Sequence, residues 1–230
     1  MTGAGERPDM RRLLVVEHGS HAPAGLLAEW AASRSLSIQT VALHAEEALP
    51  AALDCDAVAI LGSELTAYDD TLPWLAAELA FIERMLDASV PVLGICFGGQ
   101  TLARVLGSRL YRLDAPEIGW AQVTSEHPGL AEGPWLSWHR DAFELPAGAA
   151  QIAANAVCVQ GFAYGPHVAL QFHPEATEPI VASWLRFAVP PPGEEITGPL
   201  FRNPDGAWDR AAGHAATLFS AWLDGDLAAP

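Results

Sequence analysis

Residues 90–107 read VPVLGICFGGQTLARVLG, and this stretch combines a short apolar run, a glycine-rich turn and a helical pattern. The run that ends at Ile95 is typical of a buried strand. Gly98 and Gly99 follow Cys96 closely and permit a cramped turn that a Cβ atom would obstruct. The pattern therefore predicts a strand–turn–helix unit that projects the side chain of Cys96 from the edge of a sheet.

The sulfur of Cys96 is predicted to be a nucleophile. It would lie at the start of a helix, where the positive end of the helix dipole favours the thiolate. Cys55 and Cys158 lack this setting, and we expect both to contribute only to packing. Three widely spaced cysteines form neither a disulfide framework nor a zinc ligand set.

The first half of the chain alternates between strand-like and helix-like segments. Apolar runs typical of buried strands occupy residues 12–17, 38–43, 57–61 and 90–95. Helical patterns occupy residues 24–34, 72–88 and 98–107. Strands that alternate with helices through short connections predict an α/β fold with a mostly parallel sheet.

The second half changes character. Strand-like segments occupy residues 119–124, 135–138, 157–164 and 168–172, and antiparallel additions to the central sheet would accommodate them. Helices are predicted at residues 176–188, ended by the proline-rich residues 189–193, and at residues 207–223. We expect a flexible segment at residues 1–10, one catalytic domain over residues 11–189, and a connector and helix over residues 190–230 that pack on that domain.

A base for the nucleophile is predicted in the sequence Phe172-His173-Pro174-Glu175. His173 and Glu175 are two residues apart, so in an extended segment their side chains share one side. Pro174 between them stiffens the backbone. A histidine oriented by a carboxylate is the arrangement that a cysteine nucleophile needs.

Composition excludes several classes of function. All 12 basic residues are arginines, which excludes a phosphate-loop lysine and a pyridoxal Schiff base. The 28 acidic residues bring the formal charge to −16, which argues against nucleic-acid binding. No apolar run reaches the length of a membrane span and no signal-peptide core follows the N-terminus, so we expect a cytoplasmic protein.

No cofactor or metal is expected. His18 and His21 could suggest a metal pair, but no carboxylate or cysteine joins them at ligand spacing. We therefore interpret residues 18–21 as a loop.

Two motifs resemble those of one family, the class I (triad) glutamine amidotransferases. GICFGGQ at residues 94–100 is similar to the family's nucleophile motif, and FHPE at residues 172–175 is similar to its His-Glu motif. The resemblance covers roughly residues 12–188 and implies a doubly wound α/β domain with extra antiparallel strands. It also implies that Cys96 is the nucleophile and that His173, oriented by Glu175, is the general base and acid.

The resemblance extends to the oxyanion hole. Gly62 and Ser63, at the end of a predicted strand, occupy the place where a backbone N–H helps to hold the oxyanion. The second donor implied by the resemblance is the backbone N–H of Phe97.

Substrate-binding residues are also implied by the resemblance. Gln100 matches the position that contacts glutamine, and residues 137–141, including Trp138 and His139, resemble the segment that holds the amino-acid end of the substrate. Gly99 departs from the Gly-His-Gln of many members, and we expect it to remove a side chain beside the substrate subsite.

Three functions stay open at this stage. The first is a glutaminase that supplies ammonia to a separate synthase, since neither a phosphate-cradling loop nor a lysine is present. The second is a γ-glutamyl peptidase or amide hydrolase that uses the same triad. The third is a catalytically inactive binding or regulatory homologue. Residues 115–120 and 137–148 resemble stand-alone members related to the glutaminase domain of GMP synthase.

Overall fold

The computed structural model describes residues 11–51, 54–187 and 206–228, and within these ranges it contains nine strands and five helices. The strands are β1 (Arg12–Glu17), β2 (Ser37–Ala42), β3 (Ala57–Ile60), β4 (Val92–Ile95), β5 (Leu110–Ala121), β6 (Trp135–Phe143), β7 (Ala150–Ala154), β8 (Val159–Tyr164) and β9 (His167–Leu170). The helices are α1 (Gly25–Ser33), α2 (Leu75–Asp87), α3 (Phe97–Val105), α4 (Glu178–Phe187) and α5 (Ala207–Leu223).

Seven strands form the central sheet, in the order β2-β1-β3-β4-β9-β8-β7. The five neighbouring strands β2, β1, β3, β4 and β9 are parallel. The residues of the two central strands, β3 and β4, are all buried and almost entirely apolar. Strands with this pattern are covered on both faces, as a parallel sheet requires. The predicted α/β architecture with a mostly parallel sheet is confirmed.

The antiparallel strands differ in part from the prediction. β8 extends the central sheet antiparallel to β9, as expected, and β7, which was not predicted, pairs antiparallel with β8. β5 and β6, in contrast, pair only with each other in a separate two-stranded sheet. β5 also begins at Leu110, earlier than predicted, because its half-exposed and polar residues hide the strand pattern. The predicted helix stop at residues 189–193 lies outside the described residues.

Helices cover both faces of the central sheet, which makes the fold doubly wound. On one face α1 packs on α5, where the rings of Trp30 and Phe219 lie 5.6 Å apart and the indole N–H of Trp30 donates to Ser220. On the other face α2 contributes buried residues such as Phe81 and Met85 to the cluster that covers β1, β3 and β4. No helix in the described parts of the chain is long and apolar enough to cross a membrane.

The start of α3 lies unusually close to the sheet. A Cβ atom added at Gly98 would overlap the backbone carbonyl of Ile60, the last residue of β3. A Cβ atom added at Gly99 would lie 2.7 Å from the carbonyl oxygen of Leu170, the last residue of β9. Two consecutive glycines therefore let the helix begin directly against the ends of two strands, and this contact positions the residue before the helix.

Gly98→Ala is expected to lower the free energy of unfolding by about 1–3 kcal/mol, because the new methyl group must displace backbone rather than a flexible side chain. Urea unfolding at neutral pH measures the effect. Gly213→Ala is the control: Gly213 lies in α5 with no atom within 4 Å of an added Cβ, so the substitution should stabilise the helix slightly. Equal unfolding midpoints for Gly98→Ala and the parent protein would contradict the packing argument.

Candidate active site

Cys96 occupies the turn between β4 and α3. Its backbone has φ 51° and ψ −106°, a strained conformation for a residue with a side chain. Its N–H donates to the carbonyl oxygen of Leu170 at 2.8 Å, and this bond ties the turn to the end of β9. Strain of this kind persists only where the surroundings hold it in place, and it is frequent at functional sites.

His173 and Glu175 lie three and five residues after the end of β9. Nδ1 of His173 is 2.7 Å from Oε1 of Glu175, and both side chains are buried. The backbone N–H of His173 donates to the carbonyl oxygen of Leu136 in β6, which fixes the segment between the two sheets. A hydrogen bond from Nδ1 to the carboxylate sets the tautomer and leaves Nε2 for other chemistry.

Cys96 and His173 flank the same glycine. A Cβ atom added at Gly62 would lie 3.0 Å from Cε1 of His173 and 3.7 Å from Cβ of Cys96. Nε2 of His173 is buried and has no hydrogen-bond partner among the described residues. The sequence-predicted nucleophile and base, 77 positions apart, are thus brought together by the order of β4 and β9 in the sheet.

The charge state of His173 is set by its neighbours. Burial by itself lowers the pKa of His173, but the negative charges of Glu175 and Cys96 outweigh this effect and raise the pKa to about 10. The pair of His173 and Glu175 therefore favours an imidazolium at neutral pH.

A cavity of about 130 Å³ opens beside these residues. It lies beyond the carboxyl ends of β1, β3, β4 and β9, which is where open α/β sheets bind ligands. Its walls come from loops, from β6 and from α4: His21, Ala22, Gly62, Ser63, Glu64, Cys96, Trp138, His173 and Trp184. The Sγ atom of Cys96 lies 3.9 Å from the carbonyl oxygen of Trp138.

The residues predicted for an oxyanion hole lie near Cys96. Gly62 and Ser63 line the cavity directly after β3. Phe97 is the first residue of α3, so its backbone N–H belongs to the first turn, where helix N–H groups lack partners within the helix. Its ring is turned away from the cavity, into a buried contact with His18 and Trp74.

Of the three residues predicted to bind substrate, the structure brings only Trp138 to the cavity. The side-chain amide of Gln100 is buried and donates instead to the carbonyl oxygen of Asp141 at 2.9 Å and to Gln171 at 3.3 Å. The ring of His139 lies on the opposite face of β6 from Trp138, since side chains alternate along a strand. Neither side chain is among those that line the cavity.

The structure places Gly99 differently from the expectation. We expected its missing side chain to be one that lies beside the substrate subsite. An added Cβ atom would instead meet the backbone of Leu170 at the end of β9, on the buried side of α3. Gly99 therefore permits the close approach of the helix to the sheet and does not shape the cavity.

His139 belongs to a polar network around Glu117 that the sequence did not reveal. The Glu117 carboxylate lies 2.9 Å from Nε2 of His139 and accepts hydrogen bonds from Asn155 and Gln160. Burial raises the pKa of Glu117, but the hydrogen bond and charge of His139 and the two amide donors outweigh it, so the pKa is lowered. The network joins β5, β6 and β8, and so supports the strand that carries Trp138.

Glu117→Gln is expected to lower the free energy of unfolding by about 1–2 kcal/mol at pH 7, through lost charged hydrogen bonds. Because the folded-state pKa of Glu117 is lowered, the stabilisation is present above the unfolded-state pKa and is lost as the pH falls through the folded-state value. Urea unfolding at pH 7 and at about pH 3 measures this. A difference between variant and parent that does not shrink at the lower pH would contradict the assignment.

A second buried histidine–carboxylate pair, formed by His18 and Glu78, lies beside Phe97, the residue after Cys96. Nε2 of His18 is 2.7 Å from Oε2 of Glu78, and both side chains are inaccessible to water. The His18 ring packs between Trp74 and Phe97, at 5.0 and 4.8 Å between ring centres. The loop predicted at residues 18–21 is present, but a helical glutamate 60 positions away gives no sequence signal for this contact.

Glu78→Met is expected to destabilise the protein by about 3–5 kcal/mol, because it leaves His18 buried without its partner. The double variant His18→Phe/Glu78→Met removes both polar groups and should recover most of that loss. Urea unfolding of the parent, the single and the double variant gives the comparison. A single variant as stable as the parent would show that the pair does not contribute as described.

Among the described residues, no group of three or more histidine, cysteine, aspartate or glutamate side chains is arranged to hold a metal ion. His18 and His21 leave their common loop in different directions. His18 is buried against Glu78, whereas Nε2 of His21 lies 3.3 Å from Oε2 of Glu64 at the cavity.

The fold is that of solved glutamine amidotransferases. A glutamine amidotransferase from Methylobacillus flagellatus superposes with a TM-score of 0.86 at 25% identity, covering 94% of this chain and 95% of that one. One from Thermotoga maritima gives a TM-score of 0.81 at 27% identity, with 93% and 98% coverage. The sequence model of the family described as "Glutamine amidotransferase class-I" matches residues 25–180, and the chain belongs to this family.

Curated relatives are glutamine-hydrolysing GMP synthases. The GMP synthase of Burkholderia cenocepacia is 32% identical over 142 residues, which cover 54% of this chain and 25% of the relative. The GMP synthase of Ralstonia pickettii is 32% identical over 143 residues with the same coverage. The matched region spans about a quarter of the length of these relatives.

Proposed function

We propose that the protein hydrolyses the side-chain amide of glutamine with a catalytic triad of Cys96, His173 and Glu175. One observation carries the proposal: a cysteine in a strained strand–helix turn lines the same cavity as a buried histidine whose Nδ1 is bound to a carboxylate. Nucleophile, base and orienting group in this order form the arrangement used for covalent acyl transfer.

In the first half-reaction, the thiolate of Cys96 attacks the side-chain carbonyl carbon of glutamine. The oxyanion that develops is held by backbone N–H groups, for which we assign Phe97 and the Gly62–Ser63 turn. His173 then donates its proton to the departing nitrogen, and ammonia leaves. The raised pKa of His173 supports this role, since the group must be protonated when the C–N bond breaks.

In the second half-reaction, neutral His173 takes a proton from water, and the resulting hydroxide attacks the γ-glutamyl thioester. The C–S bond breaks, glutamate leaves, and the proton on His173 restores the imidazolium–thiolate pair. Glu175 keeps the ring oriented throughout, because its bond to Nδ1 exists in both states of Nε2. Trp138 and Trp184 supply apolar walls of the cavity.

The ammonia is assigned to a separate acceptor synthase. The relatives named as glutamine-hydrolysing GMP synthases support this assignment, because their names couple glutamine hydrolysis to a synthesis. The matched region is a quarter of those relatives, and the family model matches residues 25–180, which include all three residues of the proposed triad.

A γ-glutamyl amide or peptide hydrolase is the second candidate. It would form the same thioester but release an amine or a peptide in place of ammonia. One observation favours this second candidate. The side chain of Glu64, which lines the cavity, is 59% exposed, so the cavity opens to solvent at a place where a larger leaving group could extend. A catalytically inactive binding homologue fits less well, because all three residues of the triad are present.

Cys96→Ala is expected to lower the rate of ammonia release from glutamine by several orders of magnitude, because the covalent route is lost. Enzymatic measurement of ammonia and glutamate, with matched circular dichroism spectra, checks the effect. Cys55→Ser is the control, since Cys55 lies outside the cavity and should leave the rate unchanged.

A Cys96→Ala protein that still releases ammonia at the parental rate would refute the triad. The two enzyme candidates separate on a panel of γ-glutamyl amides and peptides assayed beside glutamine, with and without a candidate synthase. Fast turnover of a γ-glutamyl peptide by the protein alone favours the hydrolase. Glutaminase activity that rises only when the synthase is added favours the amidotransferase.

A further inference from the structure

We propose that His18 and Glu78 are positioning residues for the reaction. Their hydrogen bond orients the ring that supports Phe97, and so fixes the direction of the Phe97 backbone N–H toward the oxyanion. This inference rests on the proposed function, because that N–H is one of the donors assigned there. It goes beyond the proposed function in giving a role in turnover to two buried side chains that do not line the cavity.

The ring of His18 is held by one hydrogen bond. Nε2 of His18 lies 2.7 Å from Oε2 of Glu78, and both side chains are fully buried. Nδ1 of His18 and Oε1 of Glu78 are also buried but form no hydrogen bond with any described residue. The χ2 torsion of a histidine has only a broad preference of its own, so this one bond determines the plane of the ring.

The His18 ring forms one wall of the site that holds the Phe97 side chain. The two ring centres lie 4.8 Å apart, with the planes tilted by 56°. Trp74 forms the other wall, since its ring lies 5.7 Å from that of Phe97 and 5.0 Å from that of His18. Phe97 is only 1% exposed, and a close-packed ring moves only when its neighbours move. The orientation of the His18 ring therefore influences the position of the Phe97 backbone.

A small movement of that backbone matters for the proposed chemistry. The N–H of Phe97 belongs to the peptide that follows Cys96, whose φ of 51° is strained and persists only where the surroundings hold it. An oxyanion donor acts at about 2.7–3.1 Å from the oxyanion, so a displacement of roughly 0.5 Å weakens it. The packed ring of Phe97 supplies the restraint that this turn requires.

The same cluster reaches the second assigned donor. Ala67, which follows the Gly62–Ser63 turn in the chain, is fully buried in the cluster that contains Phe97. The carbonyl oxygen of Ala67 accepts a hydrogen bond from Arg104 of α3 at 2.9 Å. The loop that carries one donor is thus tied to the helix that begins with the other.

The double variant His18→Phe/Glu78→Met separates orientation from stability. A buried polar pair can be replaced by apolar side chains of similar size at little cost, so this variant is expected to remain nearly as stable as the parent. The phenyl ring that it introduces fills a similar space but has no hydrogen bond to set its plane. A loss of turnover in a stable variant would therefore report the orientation.

The test measures turnover and alkylation of the double variant. Its kcat for glutamine should fall about tenfold to a hundredfold, less than for the loss of a whole oxyanion donor, while KM stays within about twofold. The loss falls on kcat because the oxyanion forms only during the reaction, in both half-reactions. The rate at which iodoacetamide alkylates Cys96 should stay at the parental value, since that displacement forms no oxyanion.

Two matched controls and one reciprocal variant complete the set. Glu78→Gln keeps a carbonyl oxygen that can accept from Nε2 of His18, so its kcat should stay close to the parental value. Met85→Ala removes a buried side chain of the same helix from a different cluster, so it should lower the urea midpoint without changing kcat. Phe97→Leu removes the supported ring and keeps the N–H, and should reproduce the lower kcat with parental alkylation.

The outcomes distinguish this inference from the proposed function. A parent that hydrolyses neither glutamine nor γ-glutamyl amides, alone or with a candidate synthase, refutes the proposed function and the positioning role together. An active parent whose double variant keeps its kcat overturns the positioning role alone. A double variant in which turnover and alkylation slow together also overturns it, because that pattern reports a general distortion of the turn. If the double variant shows no cooperative unfolding in urea, Phe97→Leu decides between the same outcomes.

Discussion

The close approach of Gly98 to the carbonyl oxygen of Ile60 decides where Cys96 lies. It lets the first turn of α3 rest on the end of β3, and this position forces Cys96 into its strained conformation between sheet and helix. The bond from the Cys96 N–H to Leu170 holds the same turn against β9. Because β9 leads directly to His173, the pairing of β4 with β9 brings together two motifs that are distant in sequence.

Three buried histidines of the structure are each paired with a carboxylate. His173 with Glu175, His18 with Glu78, and His139 with Glu117 each place an imidazole against a carboxylate, and all three histidine rings are buried. In a chain without lysine, histidine and arginine are the residues left to pair with buried acids. The flat imidazole suits this position, since it can donate from one nitrogen and pack its faces on aromatic rings, as His18 does on Trp74. Only the first pair lies at the cavity.

The parallel strands and their helices were predictable because burial on both faces leaves an unmistakable apolar run in the sequence. β3 nearly matches its prediction for this reason, whereas α5 matches fully because its apolar residues recur with the period of a helix. β5 was largely missed because it pairs with a single strand and exposes much of its length, so its residues alternate poorly. The residue pattern of a strand does not indicate which sheet the strand joins, and β5 and β6 form a separate two-stranded sheet.

The sequence by itself predicted the nucleophile, the base and the orienting carboxylate that we propose, because each lies in a local motif whose backbone geometry follows from neighbouring glycines or a proline. The tertiary structure alone decided which side chains line the cavity. The side-chain amide of Gln100 is buried and donates to the carbonyl oxygen of Asp141, and Gly99 faces the sheet. The carboxylate of Glu64 lies beside His21 at the cavity. Those directions depend on packing between elements far apart in the chain, which no local pattern encodes.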